Sequence, residues 1–123
     1  MALVATELTV TLQSNVPGAL ATALEAIARA GINVDALNVR EGTMHLLTRD
    51  APATQRALRA AGVRVRSERQ VAVVEVDDRP GVVAGLIRRV AEAGLNVDFS
   101  YLAIGDRLVV GGDDPQKIAK LLA

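Results

Sequence analysis

Ser14-Asn15-Val16-Pro17-Gly18-Ala19-Leu20 is the stretch that decides the fold of this chain, together with Gly31-Ile32-Asn33-Val34-Asp35 downstream. The pattern returns 63 residues later as Asp77-Asp78-Arg79-Pro80-Gly81-Val82-Val83 and Gly94-Leu95-Asn96-Val97-Asp98. With that offset and no gap, fifteen residues are identical across the 56 paired positions 5–60 and 68–123. We therefore interpret the chain as two copies of one module.

The quoted stretch predicts a helix with both ends marked in the sequence. Pro17 is suited to open the helix because its missing N–H would be unpaired there, and Asn15 is a residue type that caps helix starts. Gly31 predicts the end, since glycine adopts the left-handed conformation that often follows a last helical turn. The first backbone N–H groups have no partner within the helix and lie at its positive end. A small carboxylate could bind there.

Hydrophobic periodicity predicts the remaining elements. Alternating residues predict a strand over residues 5–12, and two further strands over 32–39 and 43–48 form a hairpin. A second helix starts at residues 50–52, and a strand over 63–66 completes the module. The order predicts an α+β fold in which each ferredoxin-like βαββαβ unit packs two helices on one face of an antiparallel sheet. The second copy follows over residues 69–77, 82–93, 95–103, 107–111 and 115–122.

The predicted domains are residues 1–67 and 68–123, and the second domain is shorter than the first. Ala123 corresponds to Ala60, so no residues in the second copy correspond to the strand over 63–66. We therefore expect the second unit to lack its last strand and to leave residues 70–77 as an open apolar edge. Soluble proteins rarely expose such an edge, so we expect another chain, or a second copy of this one, to cover it.

Composition excludes several classes of function. The 123 residues include 14 basic and 14 acidic side chains, so the neutral surface favours neither nucleic acid nor an anionic membrane. The absence of cysteine excludes disulfides and thiolate chemistry, and no apolar run is long enough to span a bilayer. His45 has no Ser, Cys or paired acidic residue near it in sequence, so we predict a packed or interface residue. We expect a cytoplasmic protein without cofactor, metal site or catalytic residues.

The repeated pattern resembles the ACT domain, a ferredoxin-like module that binds amino acids. The resemblance rests on a strand ending in Asn-x-Pro-Gly, a helix ending in Ala-Gly-Ile-Asn-Val, and the hairpin that follows. It covers the whole first copy and all but the final strand of the second, so the chain resembles a tandem ACT protein. ACT domains regulate enzymes such as phosphoglycerate dehydrogenase, aspartokinase and prephenate dehydratase. They pair side by side and hold a small amino acid between them, which implies a homodimer and a separate metabolic enzyme as partners.

The resemblance implies two ligand sites, each combining a turn with an asparagine from a neighbouring domain. The first site would use Gln13, Asn15 and the backbone of Val16, Pro17, Gly18 and Ala19, facing Asn96. The second would use Val76, Asp78 and the backbone of Arg79, Pro80, Gly81 and Val82, facing Asn33. Asp77 and Asp78 place two negative charges where a ligand carboxylate would approach, so we rank the Asn15 site above the Asp78 site.

Three other functions compete with amino-acid sensing. A structural dimerisation domain without ligand is the main alternative. RNA recognition modules share the topology, but they read bases with exposed aromatic residues on central strands, where this chain has Leu, Val and Ala. An acylphosphatase-like hydrolase needs an arginine in a phosphate-binding loop, and only Arg79 beside Pro80 keeps that alternative open.

Overall fold

The computed structural model describes residues 1–12 and 16–123. Its elements are β1 (Ala2–Thr11), α1 (Ala19–Arg29), β2 (Ala36–Arg40), β3 (Thr43–Leu47), α2 (Ala51–Ala60), β4 (Arg64–Glu75), α3 (Val82–Glu92), β5 (Val97–Ala103), β6 (Arg107–Gly112) and α4 (Pro115–Leu122). The chain divides into two compact units, Thr6–Arg69 (the 6–69 unit) and Met1–Ala5 with Gln70–Ala123 (the 70–123 unit). The described residues thus form an α+β fold that is compatible with a ferredoxin-like arrangement.

In the 6–69 unit, β3 pairs antiparallel with both β1 and β2. Leu8 and Val10 of β1 are buried in one hydrophobic cluster with residues of both helices, including Ile27 of α1 and Leu58 of α2. Because alternate residues of a strand point to the same side, the two helices cover the side of β1 that carries Leu8 and Val10.

In the 70–123 unit, β6 pairs antiparallel with β4 and β5, and the register with β5 shifts between Val97 and Phe99. The core contains Ala72 and Val74 of β4 together with Val90 of α3, and Ile118 and Leu122 of α4 complete it. Ala2 and Val4, from the start of the chain, pack against the same core.

The expected open edge over residues 70–77 is covered by the chain's own first residues. Strand β1 lies beside β4, and the Glu75 N–H donates to the Met1 carbonyl at 3.1 Å. The expectation that another chain or a second copy covers this edge is therefore wrong. Residues Met1–Ala5 occupy the edge that the expected last strand would cover. The two strands predicted over 63–66 and 69–77 are one strand, β4.

The prediction that a single offset of 63 relates the two copies throughout is wrong, because some elements have a different offset. The offset of 63 relates the starts of α1 and α3, at Ala19 and Val82. The pairing of Thr11 with Thr43 corresponds to that of Glu75 with Arg107, which is an offset of 64. The second copy therefore has one residue fewer before its first helix and one more in its hairpin turn. Leu12 consequently matches Val76, not Glu75 as the gapless alignment implies.

The predicted starts of the later helices are confirmed. The Asp50 side chain accepts a hydrogen bond from the Ala53 N–H at 3.0 Å, and Asp114 caps α4 in the same way through the Lys117 N–H at 3.1 Å. The prediction that Pro17 opens α1 is wrong, because the helix begins at Ala19 with Gly18 as its N-cap. Among the described residues, no helix is long and apolar enough to cross a bilayer.

Candidate functional site

The turn before α1 ends in a glycine in the left-handed conformation. Gly18, the N-cap, has φ 90°, which residues with a Cβ rarely adopt, and no described side chain caps the helix. The Ala19 N–H donates to the Val16 carbonyl at 3.2 Å and the Thr22 N–H to the Gly18 carbonyl at 2.9 Å. Within the described part of the chain, the N–H groups of Leu20 and Ala21 have no acceptor. Such a pair is suited to a ligand carboxylate.

A cleft of about 330 Å³ borders this helix start. Its described lining carries no charged side chain and combines the start of α1 with the residues that follow α2: Leu12, Val16, Pro17, Gly18, Ala19, Thr22, Ala61, Gly62 and Val63. The predicted site residues Val16, Pro17, Gly18 and Ala19 therefore lie together at this cleft. Gln13 and Asn15 lie outside the described residues.

The turn before α3 repeats the backbone geometry. Gly81 has φ 86°, and again no side chain caps the helix. The Val82 N–H donates to the Arg79 carbonyl at 3.3 Å and the Gly85 N–H to the Gly81 carbonyl at 2.9 Å. In the described chain, the N–H groups of Val83 and Ala84 have no acceptor. Both predicted sites thus have the same arrangement of backbone donors.

The side chains around the two turns differ in charge. Beside α3 the cleft is about 180 Å³ and is lined by Val76, Asp77, Asp78, Arg79, Val83, Leu102, Ala103 and Asp106. Arg79 donates to the Asp77 carboxylate at 3.0 Å, so this pair is close to neutral. Asp78 and Asp106 make no ion pair with any described residue, and they leave this cleft acidic. An approaching carboxylate is repelled here more than at α1.

The two predicted partner asparagines bind their own neighbours. The Asn33 amide donates to the Asp35 carboxylate at 3.1 Å, and the Asn96 amide donates to Asp98 at 2.9 Å. The Asn96 N–H is also bonded, to Asp113 at 2.9 Å. Within its own unit, Asn33 lines a different cleft from that at α1, with Arg49 and Asp50. That either asparagine faces a ligand remains a prediction.

A buried carboxyl group was missed by the sequence analysis. Alternation placed Glu7 on the polar side of β1, but its side chain is 0% exposed. The Glu7 Oε1 lies 3.1 Å from Nδ1 of His45, and Thr9 lies 3.5 Å from the same nitrogen. Pairing of Thr9 with His45 between β1 and β3 brings these side chains together. Knowledge of that register would have indicated the contact. No group of three or more metal-binding side chains occurs among the described residues.

No family model and no curated protein matches this chain. Its fold is similar to that of protein BT0572 from Bacteroides thetaiotaomicron, at TM-score 0.86 and 23% identity over 98% of this chain and 88% of the other. It is also similar to the ligand-free regulatory subunit of aspartate kinase from Thermus thermophilus, at TM-score 0.71 and 18% identity over 98% and 93% of the two chains.

A third similar structure is Escherichia coli aspartokinase III in complex with lysine and aspartate. The TM-score is 0.62 and the identity 18%, over 98% of this chain and 31% of the enzyme. At these sequence identities the similarity establishes the fold and does not establish a function. This chain shares its fold with regulatory subunits of aspartate kinase.

Proposed function

We propose that this chain is a non-catalytic regulatory module of the ACT type that binds a small amino acid and transmits its presence to a separate metabolic enzyme. The ligand is held where paired domains meet, with its carboxylate at the start of α1 or α3. The two copies act as tandem domains, and the chain works as a cytoplasmic homodimer without a cofactor.

The observation that carries this proposal is the repeated helix start. In both units a glycine with φ near 90° begins a helix without a side-chain cap, next to a cleft. A turn with a purely structural role needs only the glycine. At each helix start, however, two backbone N–H groups have no acceptor among the described residues, which suits a carboxylate. The similarity in fold to aspartate kinase regulatory subunits supports a regulatory role.

The turn before α1 is the preferred site. Its described lining is uncharged, and its cleft of about 330 Å³ is larger than the 180 Å³ beside α3. Asp78 remains suited to a ligand ammonium group, which every amino acid carries. The second site therefore stays in the proposal as the weaker of the two.

Thermal unfolding in the presence of each of the twenty amino acids tests the proposal. A ligand at about a hundred times its dissociation constant adds about 2.7 kcal/mol to the free energy of unfolding, which raises the melting temperature. We expect one or a few chemically related amino acids to stabilise the protein and the others to have no effect.

A matched pair of variants locates the site. Ala61 lines the α1 cleft. Its neighbour Ala60 is exposed to solvent and does not line the cleft. Ala61→Phe fills the cleft and should abolish the stabilisation, and Ala60→Phe should leave it unchanged. No response to any amino acid would favour the alternative, a structural dimerisation domain without ligand. That alternative is supported by the side-chain hydrogen bonds of Asn33 and Asn96, because each amide already donates to an aspartate two residues away.

A further inference from the structure

We propose that Val83, Leu102 and Ile104 form a docking surface, here named the apolar tip, for an apolar segment that carries basic side chains. The segment belongs to the protein that this module regulates, so the inference rests on the proposed regulatory role. It adds the place and the chemistry of the contact, neither of which follows from the ligand site.

The apolar tip is exposed beyond what its fold requires. Leu102 is 64% exposed and Ile104 is 68% exposed, and Val83 at the start of α3 is 36% exposed. Ile104 lies in the turn between β5 and β6, a position usually held by polar residues or glycine. Leu102 and Val83 line one cleft, so strand and helix contribute to one surface.

The corresponding hairpin of the 6–69 unit has a less exposed apolar residue on its strand and no apolar residue in its turn. Val39 stands in the place of Leu102 and is only 37% exposed, and the turn between β2 and β3 consists of Glu41 and Gly42. The turn there closes with Glu41 and Gly42 at φ 47° and 82°. In the 70–123 unit the turn has three residues, and Gly105 and Asp106 take the positive φ values of 77° and 53°, so Ile104 is an exposed residue that the shorter turn lacks. An exposed apolar cluster in one of two related hairpins indicates an interaction site.

Carboxylates around the apolar tip determine the charge of its partner. Asp78 and Asp106 line the same cleft as Leu102 and make no ion pair with any residue that the structure describes. Asp77 is already paired with Arg79 at 3.0 Å. The turn between β5 and β6 is one residue longer than the turn between β2 and β3, and Asp106 places one of these charges in it. A segment with apolar side chains at its centre and Lys or Arg at its edge complements this surface.

The apolar tip adjoins the proposed ligand turn of its unit. The residues Asp77, Asp78 and Arg79 line the cleft of about 180 Å³ that also contains Leu102 and Val83. An amino acid at the α3 turn and a segment docked on the tip would share this cleft, and their direct contact would couple ligand binding to partner binding.

Fluorescence anisotropy with synthetic peptides tests the inference. The probe is a labelled amphipathic helix of Leu and Lys, compared with a Leu/Glu helix of equal hydrophobicity and a Ser/Lys peptide of equal charge. We expect the Leu/Lys peptide alone to bind, and to bind more weakly as the salt concentration rises.

Variants assign the binding to the apolar tip. Ile104→Glu places a charge in the apolar tip, and we expect it to weaken binding by about tenfold, as for loss of a central contact. Asp106→Asn keeps a residue that tolerates its φ of 53° and should weaken binding less while reducing the salt dependence. Val39→Ser in the other hairpin is the matched control and should have no effect. Circular dichroism verifies that each variant is folded.

Three outcomes would overturn the inference. They are failure of the Leu/Lys peptide to bind, equal binding by the Ile104→Glu variant, and self-association of the protein that Ile104→Glu abolishes, which would make a second copy the occupant. The amino-acid panel is measured without peptide. If no amino acid raises the melting temperature but the Leu/Lys peptide binds specifically, the amino-acid ligand is rejected and the docking surface is kept. If an amino acid stabilises the protein but the peptide does not bind, only the docking surface is rejected.

Discussion

Replacing Glu7 with glutamine should destabilise the protein by about 1–2 kcal/mol. The Glu7 side chain is fully buried and its Oε1 lies 3.1 Å from the His45 Nδ1. Hydrogen bonds that involve a charged group contribute about 1.5–3 kcal/mol, and the 30% exposure of the His45 side chain reduces that value through solvent screening. Glutamine keeps the volume of the side chain, so the loss reports on the carboxyl group and not on a cavity.

Urea unfolding followed by far-UV circular dichroism is the suitable assay, because the chain has no tryptophan. Glu25→Gln is the matched control. Glu25 is 67% exposed and lies 3.8 Å from Arg29, so its substitution should change the free energy of unfolding by less than about 0.5 kcal/mol. A double-mutant cycle with His45→Gln should show a coupling energy of about 1 kcal/mol. Equal effects at Glu7 and Glu25, or no coupling, would refute the reasoning.

Two further stability predictions concern glycines. Gly85→Ala in α3 should stabilise the protein by about 0.5–1 kcal/mol, because alanine favours a helix and the added Cβ meets no atom within 4 Å; the midpoint of urea unfolding measures this. Gly111→Ala should destabilise it by about 1–3 kcal/mol, because the added Cβ would overlap the Phe99 ring; Phe99→Leu in the same chain should recover part of the loss, and an unchanged midpoint for Gly111→Ala would contradict the close contact.

The sequence predicted those elements whose ends are chemically marked. The hairpin turn at Glu41 and Gly42 and the capped starts of α2 and α4 all lie where turn and capping residues placed them. In each case a local preference of the backbone decides the structure, so neighbouring residues are sufficient evidence. Pro17 misled because proline also suits the residue before an N-cap, and the left-handed Gly18 takes the cap itself.

Register and strand partners could not be read from the sequence in the same way. A residue missing before α3 and a residue added in the turn between β5 and β6 compensate each other, so a gapless match of the copies gave many identities and no sign of either change. The alternation of Ala2, Val4, Leu8 and Val10 shows which side of β1 is apolar. It does not show that Ala2 and Val4 pack in one core while Leu8 and Val10 pack in another. Those facts depend on pairing between strands distant in sequence.

The sequence marks both helix starts and the acidic side chains beside α3, whereas binding of a ligand at either helix start stays a prediction. Any helix start exposes N–H groups, and Gly18 and Gly81 mark two of them in the sequence. Backbone donors recognise the carboxylate that all amino acids share, so in the proposed site any selectivity must come from the lining, such as Leu12, Thr22 and Val63. Side-chain deletion cannot remove a backbone donor. Filling the cleft at Ala61 is therefore the substitution that tests the site without altering its donors.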